Sequence, residues 1–388
     1  MKFSMIFEAQ LAHPTPEREH ALLHDCVDQA VLAEEVGFDR IWAVEHHSLL
    51  RYAHMSASEI FLSWVAARTS RIRIGHGVVT MPFGYQHPLR VAERSAMLDA
   101  LSGGRVDIGA GRGATTQEMA MFDVRAEDTY PQVEEALQIV AAAWRKEQFE
   151  WHGSIDIGPG AVLPRPVQLP HPPLFMACSK HDTLRTAAEY GVGALVLGFA
   201  GADDVREMRA VYDAALAARD GSRLVSSEVN DHFAALCPTV VLDDAEEAYR
   251  AGTRGQRFFA ESIAQWYGGG PAPVEDPEPD TDHAAAMASH REELVAKLHE
   301  ARVPVRPQRD GDVQRRPRLR NGGDGGGLRR ALGRHRRRRG HLPDPDGHGA
   351  SVGVPGDHPA VGRARDPTVP VIPLNGGPVA RPRGARLC

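Results

Sequence analysis

Strand-length apolar segments alternate with amphipathic helical segments from residue 2 to residue 241 of this chain. The pattern predicts strands over residues 2–7, 40–44, 71–80, 105–110, 173–178, 194–199 and 233–241. It predicts helices over residues 21–35, 57–68, 88–101, 130–146, 183–190 and 203–218. Parallel strands need a crossover between them, so this alternation is typical of a parallel α/β sheet.

Seven predicted strands with helices between them favour a TIM (β/α)8-type barrel, in which eight strand–helix units close into a cylinder. The eighth unit would lie beyond residue 303, and residues 307–348 show neither helical nor strand periodicity. We therefore expect the eighth unit to be missing or disrupted. An open, doubly wound sheet is the structural alternative. Both folds place functional residues at the carboxyl ends of the strands.

The sequence predicts a barrel over residues 1–303, followed by a different kind of segment over residues 304–388. Within the barrel, Gly and Pro residues interrupt the alternation at about 151–172, as an insertion would. An acidic, proline-rich stretch at about 268–282 is expected to be a mobile surface loop, and helical periodicity returns over residues 292–302.

Residues 304–388 contain 18 Arg, 16 Gly, 12 Pro and 7 Asp, with no Lys, Glu, Phe, Tyr, Trp or Met. Their net charge is +11, whereas residues 1–303 carry −17. A GC-rich gene read in a shifted frame encodes this composition, so we interpret the segment as a disordered tail created by a frameshift near residues 303–309. A genuine RNA-binding Arg/Gly-rich tail is the alternative. The segment lacks the aromatic residues that stack on bases, so no nucleic-acid partner is expected.

The sequence contains no apolar run of the roughly 18 residues that a membrane-spanning helix needs. Residues 1–7 lack the long apolar region and the cleavage site of a signal peptide. The cysteines are Cys26, Cys178, Cys237 and Cys388, and their spacing matches neither a metal site nor a disulfide framework. We therefore expect a cytoplasmic protein with no metal site and no membrane partner.

The segment Glu45-His46-His47 directly follows the second predicted strand. Imidazole exchanges protons near neutral pH, and barrel enzymes carry their catalytic residues at strand ends. A single histidine at an arbitrary position more often has a structural role. Two adjacent histidines at a strand end favour catalysis, and His46 is the candidate.

Two later strands lead into segments that suit an anion. Arg112 lies in the glycine-rich run 109–113, and its forked guanidinium suits an oxyanion, although a tight turn with a solvated arginine is the alternative. Residues 179–183 precede a predicted helix whose first N–H groups could bind phosphate. Simple helix capping by Asp182 or Thr183 is equally compatible with that sequence.

These motifs occur in a specific order. They are Phe38-Asp39-Arg40-Ile41-Trp42, Glu45-His46-His47, Gly75-His76-Gly77-Val78, His87-Pro88, the runs 98–105 and 109–113, the loop 177–183, and Trp266-Tyr267. The combination resembles the bacterial luciferase-like, flavin-dependent monooxygenases, in particular the branch close to the luciferase alpha subunit. The resemblance covers about residues 1–303.

The resemblance implies that His46 acts on the flavin intermediate as a base or proton manager, with Glu45 and His47 orienting it. It also implies a non-proline cis peptide bond between Gly77 and Val78, beneath the isoalloxazine ring. An ordinary strand with small residues is the alternative there.

The other cofactor-binding positions that the resemblance implies are Ala110, Arg112, Cys178, Ser179 and Thr183, with the arginine and the two hydroxyl groups on the phosphate. Trp266 and Tyr267 would flank the substrate pocket, or would only anchor the loop that begins at Gly268.

The resemblance implies an FMNH2-dependent monooxygenase that uses O2 through a C4a-(hydro)peroxyflavin. Its substrate would be a small organic molecule such as an aldehyde, a ketone or a polycyclic aromatic. No NAD(P)H-binding motif is evident, so a separate flavin reductase would supply FMNH2, and the family also implies a homodimer. The alternatives are an F420-dependent hydride-transfer oxidoreductase, a catalytically silent flavin-binding relative, and a damaged barrel that aggregates.

Overall fold

A computed structural model of the chain describes residues 1–198, 201–268 and 273. Internal contacts divide the chain into Met1–Gly311 and Asp312–Cys388, and every described residue belongs to the first unit. The expected loop at 268–282 lies outside the described residues except for Gly268 and Pro273, as do the whole 292–302 helix and the whole 304–388 segment.

The described residues contain nine strands and eight α-helices. The strands are β1 (Ser4–Phe7), β2 (Arg40–Ala43), β3 (Arg73–Thr80), β4 (Val106–Gly111), β5 (Phe149–His152), β6 (Asp156–Gly160), β7 (Leu174–Cys178), β8 (Gly193–Leu197) and β9 (Phe233–Leu236). The helices are α1 (Pro16–Val36), α2 (Ser58–Arg68), α3 (Pro88–Ser102), α4 (Thr116–Met121), α5 (Thr129–Arg145), α6 (His181–Tyr190), α7 (Ala202–Ala218) and α8 (Ala245–Gly268).

Seven strands form one parallel sheet in the order β1-β2-β3-β4-β7-β8-β9, while β5 and β6 form a separate antiparallel hairpin. Consecutive strands of the sheet are spatial neighbours, so every crossover runs in the same direction. A doubly wound sheet would reverse this order at its switch point. The parallel α/β prediction is therefore confirmed, and the doubly wound alternative is wrong for the described residues.

The sheet is strongly curved. Trp42 on β2 contacts Phe175 on β7, with ring centroids 5.2 Å apart, and the Arg40 guanidinium lies 5.4 Å from the same Phe175 ring. β3 and β4 lie between these strands, and neighbouring strands are about 4.8 Å apart. In a flat sheet, the side chains of β2 and β7 would be too far apart to touch. Their contact therefore shows that the sheet curls, as in a half-barrel.

The two faces of the sheet carry different kinds of side chain. On β4, Val106, Ile108 and Ala110 belong to the hydrophobic core between the sheet and the helices. The intervening Asp107 faces the concave side, where it binds Arg40 (2.6 Å) and Arg73 (2.6 Å). Successive strand residues point to opposite faces, so the helix-covered face is apolar and the concave face carries polar groups.

Capping residues set several helix boundaries. α1 begins at Pro16 because the Thr15 side chain accepts a hydrogen bond from Arg18 N, and it ends at Gly37, which has a φ of 98°. The predicted start at residue 21 was therefore five residues late. Four elements were not predicted, namely the helices α4 and α8 and the two strands of the β5–β6 hairpin, which lies where the sequence indicated an insertion. No described helix combines the length and apolarity needed to cross a bilayer.

Candidate active site

The carboxyl ends of the parallel strands meet at one edge of the sheet. This edge carries Glu8 after β1, the Glu45-His46-His47 run after β2, Arg112 after β4 and Lys180 after β7. Residues from four separate stretches of sequence are thereby brought to one mouth, as in barrel enzymes.

The imidazole of His46 is bonded to a carboxylate that comes from α4. Nδ1 of His46 lies 2.9 Å from Oε1 of Glu118, and the same oxygen accepts the backbone N–H of His47 at 3.0 Å. The Glu118 side chain is fully buried. The described side chain hydrogen-bonded to the His46 ring is therefore Glu118, whereas the resemblance implied Glu45 and His47 as the orienting residues.

Glu118 holds this position because it also closes the start of α4. Its Oε2 accepts the backbone N–H of Thr115 at 2.9 Å, and the Thr115 hydroxyl accepts the backbone N–H of Glu118 at 3.1 Å. This reciprocal arrangement is a capping box, which needs Ser or Thr followed three residues later by Glu or Gln. The pattern Thr115-x-x-Glu118 was readable in the sequence, but its approach to His46 was not.

Burial and charge act in opposite directions at this pair. Burial lowers the pKa of His46 and is the largest single influence on it. The hydrogen bond to Glu118 and the charges of Glu8, Glu118 and Glu45 act in the opposite direction. Together they outweigh burial, so the pKa of His46 is raised overall. Burial raises the pKa of Glu118, but bonding to His46 and to backbone N–H groups lowers it overall. The pair therefore favours imidazolium beside carboxylate.

A second carboxyl group faces the other ring nitrogen. Oε2 of Glu8 lies 3.9 Å from Nε2 of His46, and the side chain of Glu8 is hydrogen-bonded to Tyr52. The Tyr52 ring in turn packs edge-on against Trp266 of α8, with centroids 4.4 Å apart. Trp266 is thus linked to His46 through Tyr52. Tyr267 lies in α8, but its side chain is outside the described residues.

Glu45 and His47 belong to a neighbouring cluster. Nε2 of His47 lies 3.2 Å from Oε1 of Glu45, which also accepts hydrogen bonds from the Thr80 hydroxyl and from Gln86. The His47 ring stacks on Tyr85 with centroids 5.7 Å apart. These contacts hold the segment that carries His46.

Small and apolar residues line the concave face below this mouth. The peptide bond between Gly77 and Val78 is cis, as the resemblance implied. We name Val78, Ala177 and Leu195 the apolar wall, because each is partly or fully exposed on the curved inner side of its strand. The wall is suited to contact a planar, apolar ring.

Two cations lie at the ends of β4 and β7. The Arg112 guanidinium and the Lys180 ammonium flank the same ring, that of Tyr130, at 5.3 Å and 5.6 Å from its centroid. Lys180 immediately precedes α6, whose N-terminal N–H groups carry partial positive charge. Together they form a site suited to an anion, and we name Arg112 and Lys180 the cationic pair. Lys180 was missed because a lysine in a loop has no distinctive pattern.

The other predicted cofactor residues differ in where their side chains point. Ala110 and Cys178 are fully buried in the core between sheet and helices, so only their backbone could contact a ligand at the mouth. Burial raises the pKa of the Cys178 thiol to about 12. The Thr183 hydroxyl donates to the Lys180 carbonyl (2.8 Å) and accepts its N–H (3.2 Å), which is the capping alternative. Ser179 is partly exposed beside Lys180.

A groove of about 650 Å³ between α6 and α7 contains none of these strand-end residues. Among the described residues, no group of three or more His, Cys, Asp or Glu side chains could hold a metal ion. The mouth itself carries His46 with its neighbouring carboxyl groups, the apolar wall and the cationic pair.

The family model described as luciferase-like monooxygenase matches residues 1–313 of this chain. Among curated proteins, 4-hydroxyprotoasukamycin monooxygenase of Streptomyces nodosus subsp. asukaensis is 35% identical over 33% of this chain and 34% of its own length. The F420-dependent glucose-6-phosphate dehydrogenase of Kineococcus radiotolerans is 29% identical over 45% of this chain and 53% of its own length. The matches thus span about half or less of these two relatives.

Solved structures share the fold at low sequence identity. A monooxygenase from Streptomyces bottropensis superposes with a TM-score of 0.60 at 24% identity, covering 77% of this chain and 89% of that one. The oxygenating constituent of 3,6-diketocamphane monooxygenase from Pseudomonas putida, in complex with FMN, gives a TM-score of 0.58 at 20% identity, covering 78% and 88%. The family match over most of the chain, the half-barrel and the strand-end cluster agree, and the chain belongs to the luciferase-like monooxygenase family.

Proposed function

We propose that this protein is a flavin-dependent monooxygenase that binds reduced FMN at the mouth of the half-barrel and oxygenates a small organic substrate with O2. The observation that carries the proposal is the pairing of a buried Glu118–His46 couple with the cationic pair on one rim. An aldehyde, a ketone or a polycyclic aromatic is the proposed substrate class.

The donor set fits FMN. The cationic pair and the first N–H groups of α6 suit its phosphate, with Ser179 and Thr183 as further proposed ligands. The apolar wall and Gly77 suit its ring. When bound, reduced FMN supplies the activation of O2, whereas the protein supplies orientation and proton control.

The roles of the chain's own residues follow from their contacts. Glu118 fixes the ring of His46 through Nδ1, which leaves Nε2 to hold a proton at the mouth. The cluster of Glu45, Thr80 and Gln86 keeps the preceding segment in place. Trp266 and Tyr267 are proposed to border the substrate, and α8 covers the loop that carries Tyr52.

Rapid mixing tests the proposal. Anaerobic FMNH2 bound to the protein is mixed with oxygenated buffer, and flavin absorbance is followed. We expect flavin reoxidation to be slower than in free solution, because a dry site protects the reacting flavin. His46→Asn should still bind FMN but should oxygenate its substrates about 100-fold or more slowly. Reoxidation at the rate of free FMNH2 would reject the proposal.

An F420-dependent oxidoreductase is the second candidate, because relatives in the same family use that cofactor by name. Both cofactors present a planar ring and a phosphate to the mouth. Parallel fluorescence titrations with FMN and F420 separate the candidates. Tight binding of F420, with no oxygen consumption in the presence of reduced flavin, would favour the hydride-transfer enzyme. Flavin binding without any turnover would favour a catalytically silent relative.

A separate flavin reductase is the proposed source of FMNH2, supported by a relative named as the oxygenase component of a trigonelline monooxygenase. A homodimer is also proposed. Large apolar side chains are exposed along the adjacent helices α2 and α3, namely Ile60, Trp64, Met97 and Leu101. An exposed apolar patch of this kind is typical of a protein–protein interface.

We also propose that the half-barrel is part of a TIM barrel whose eighth unit is missing or disrupted by a frameshift near residues 303–309. The composition of residues 304–388 supports this proposal. Resequencing of the gene tests it, because an alternative downstream frame should encode a periodic strand and helix. An unbroken frame that matches this chain would reject the frameshift.

A further inference from the structure

Glu8 is the acidic residue at the mouth that the proposed chemistry leaves unused. It directly follows β1, and its Oε2 lies 3.9 Å from Nε2 of His46. Within the described residues this buried oxygen has no hydrogen-bond partner. The side chain of Glu8 is hydrogen-bonded to Tyr52, which is itself hydrogen-bonded to Gln10. The carboxyl group is therefore held against the one ring nitrogen that Glu118 does not occupy.

Three acidic side chains from different elements act on His46. Glu8 comes from the end of β1, Glu118 from α4 and Glu45 from the end of β2, while Tyr52 comes from the loop before α2. Opposite charge within about 4–6 Å favours the charged form of a titratable group. Two of these carboxyl groups lie against opposite nitrogens of the same imidazole ring.

We propose that Glu8 is a positioning residue that keeps a proton on Nε2 of His46. His46 then presents an N–H group to the mouth rather than a lone pair. This inference rests on the proposed function for its catalytic meaning, because it makes His46 a proton donor rather than a base. No bond to a heavy atom forms or breaks, and the proton stays on Nε2, 3.9 Å from Oε2 of Glu8, where the negative charge of the carboxylate favours it.

The ionisation of the two groups is consistent with this arrangement. Burial raises the pKa of Glu8, while the charge of His46 and the bond from Tyr52 lower it in part. The pKa of His46 is raised as well. The raised pKa of His46 favours the imidazolium form, which carries a proton on Nε2. Above the pKa of His46 the proton leaves and Nε2 becomes an acceptor.

The test is an NMR titration of His46 in the full-length protein, with His46→Gln used to assign its resonances. Glu8→Gln keeps the shape of the side chain but removes its charge. We expect the titration midpoint of His46 to fall by about one pH unit or more in this variant. Glu19→Gln is the matched control, because Glu19 pairs with a different histidine, His54, at 3.4 Å. It should leave the His46 midpoint unchanged.

A second variant, Tyr52→Phe, tests the same inference if Glu8→Gln fails to fold. Tyr52→Phe removes the hydrogen bond that lowers the pKa of Glu8, so the His46 midpoint should fall, but by less than in Glu8→Gln. An unchanged midpoint in Glu8→Gln, or an unprotonated Nε2 at neutral pH in the wild type, would overturn the inference.

The titration needs neither flavin nor turnover, so it separates this inference from the proposed function. A shifted midpoint in a protein that oxygenates nothing would support the role of Glu8 and reject the monooxygenase. In an active enzyme, the alkaline limb of the kcat profile should move to lower pH in Glu8→Gln by the same amount as the midpoint. An alkaline limb that stays in place would overturn the inference for catalysis.

Discussion

At the scale of single residues, the mouth of the half-barrel separates proton control from anion binding. His46 lies between two carboxylates, whereas Arg112 and Lys180 share the ring of Tyr130. The two groups contact different side chains, so an apolar ring and an anionic tail of one ligand would meet different residues. The two groups can therefore be tested independently.

Neutralising the cationic pair should weaken FMN binding selectively. A hydrogen bond to a charged group contributes about 1.5–3 kcal/mol, so Arg112→Met or Lys180→Met should raise the Kd for FMN by about 10-fold or more. Riboflavin lacks the phosphate and should bind with unchanged affinity. Fluorescence titration measures both. Lys146→Met, an exposed lysine at the end of α5, is the control. An equal loss for FMN and riboflavin would contradict the assignment.

Close packing on β4 gives a second prediction for a single residue. A Cβ atom at Gly109 would lie 2.5 Å from the His76 carbonyl oxygen, so the backbone of β3 would have to move. Gly109→Ala should lower the free energy of unfolding by about 1–3 kcal/mol in urea denaturation. A Cβ atom added at Gly158 would have no heavy atom within 4 Å apart from those of its chain neighbours. Gly158→Ala should therefore change the free energy of unfolding by less than about 0.5 kcal/mol. Equal stability of both variants would contradict this packing argument.

At the scale of secondary-structure elements, three strands are joined by one buried carboxylate. Asp107 on β4 binds Arg40 on β2 and Arg73 on β3, and its side chain is fully buried. Arg40 also lies over the ring of Trp42 at 5.0 Å. This network fills the concave side below the apolar wall, so it holds the curvature on which the site depends.

Removing the charge of Asp107 should lower the free energy of unfolding. Asp107→Asn leaves the buried guanidinium group of Arg40 and the half-buried one of Arg73 with reduced compensation, and loss of one partner of a buried pair typically costs about 3–5 kcal/mol. Urea denaturation followed by circular dichroism measures the loss. The control is Asp213→Asn, which breaks the exposed pair with Arg209 and should cost no more than about 1 kcal/mol. Similar losses in the two variants would show that the buried network is not stabilising.

Sequence patterns predicted most elements but not all of them. The seven sheet strands were found because apolar runs and glycine or proline boundaries are local signals. Helix α4 was not predicted because its six residues are too short for periodicity, although its capping box was present. Helix α8 was not predicted either, and the strand before it was predicted to reach residue 241, whereas β9 ends at Leu236.

At the scale of the whole molecule, the helical layer outside the sheet carries an uncovered apolar surface. Ile60 of α2 is 68% exposed and Leu101 of α3 is 73% exposed. Water contact with such side chains is unfavourable at about 25 cal/mol per Å² of apolar surface. A second copy of the chain is the partner proposed to cover them.

A charge placed in this surface should dissociate the proposed dimer. Leu101→Glu should give the mass of a monomer in size-exclusion chromatography with light scattering, because an ionised carboxylate cannot be buried unpaired. Val241→Glu is the control, since Val241 is equally exposed but lies between β9 and α8. A monomeric wild type, or a Leu101→Glu variant that remains dimeric, would contradict the proposed interface.

Local sequence patterns were enough to establish the parallel α/β class, the succession of strands and the edge of the sheet that carries the proposed site. These features depend on periodicity, caps and turns, which are local. The sequence also marked His46 and Arg112, since each directly follows a strand in an unusual motif. The resemblance added the cis bond between Gly77 and Val78, which the structure contains.

Which acidic side chains contact His46 was evident only from the three-dimensional fold. Glu118 lies 72 positions from His46 in sequence, and Glu8 reaches the same ring from the first strand. Acidic residues are common along this chain, so no local pattern distinguishes these two. The curvature of the sheet and the path of each loop brought them to opposite sides of one imidazole, because hydrogen bonds and ion pairs act over a few ångströms in space and not along the sequence.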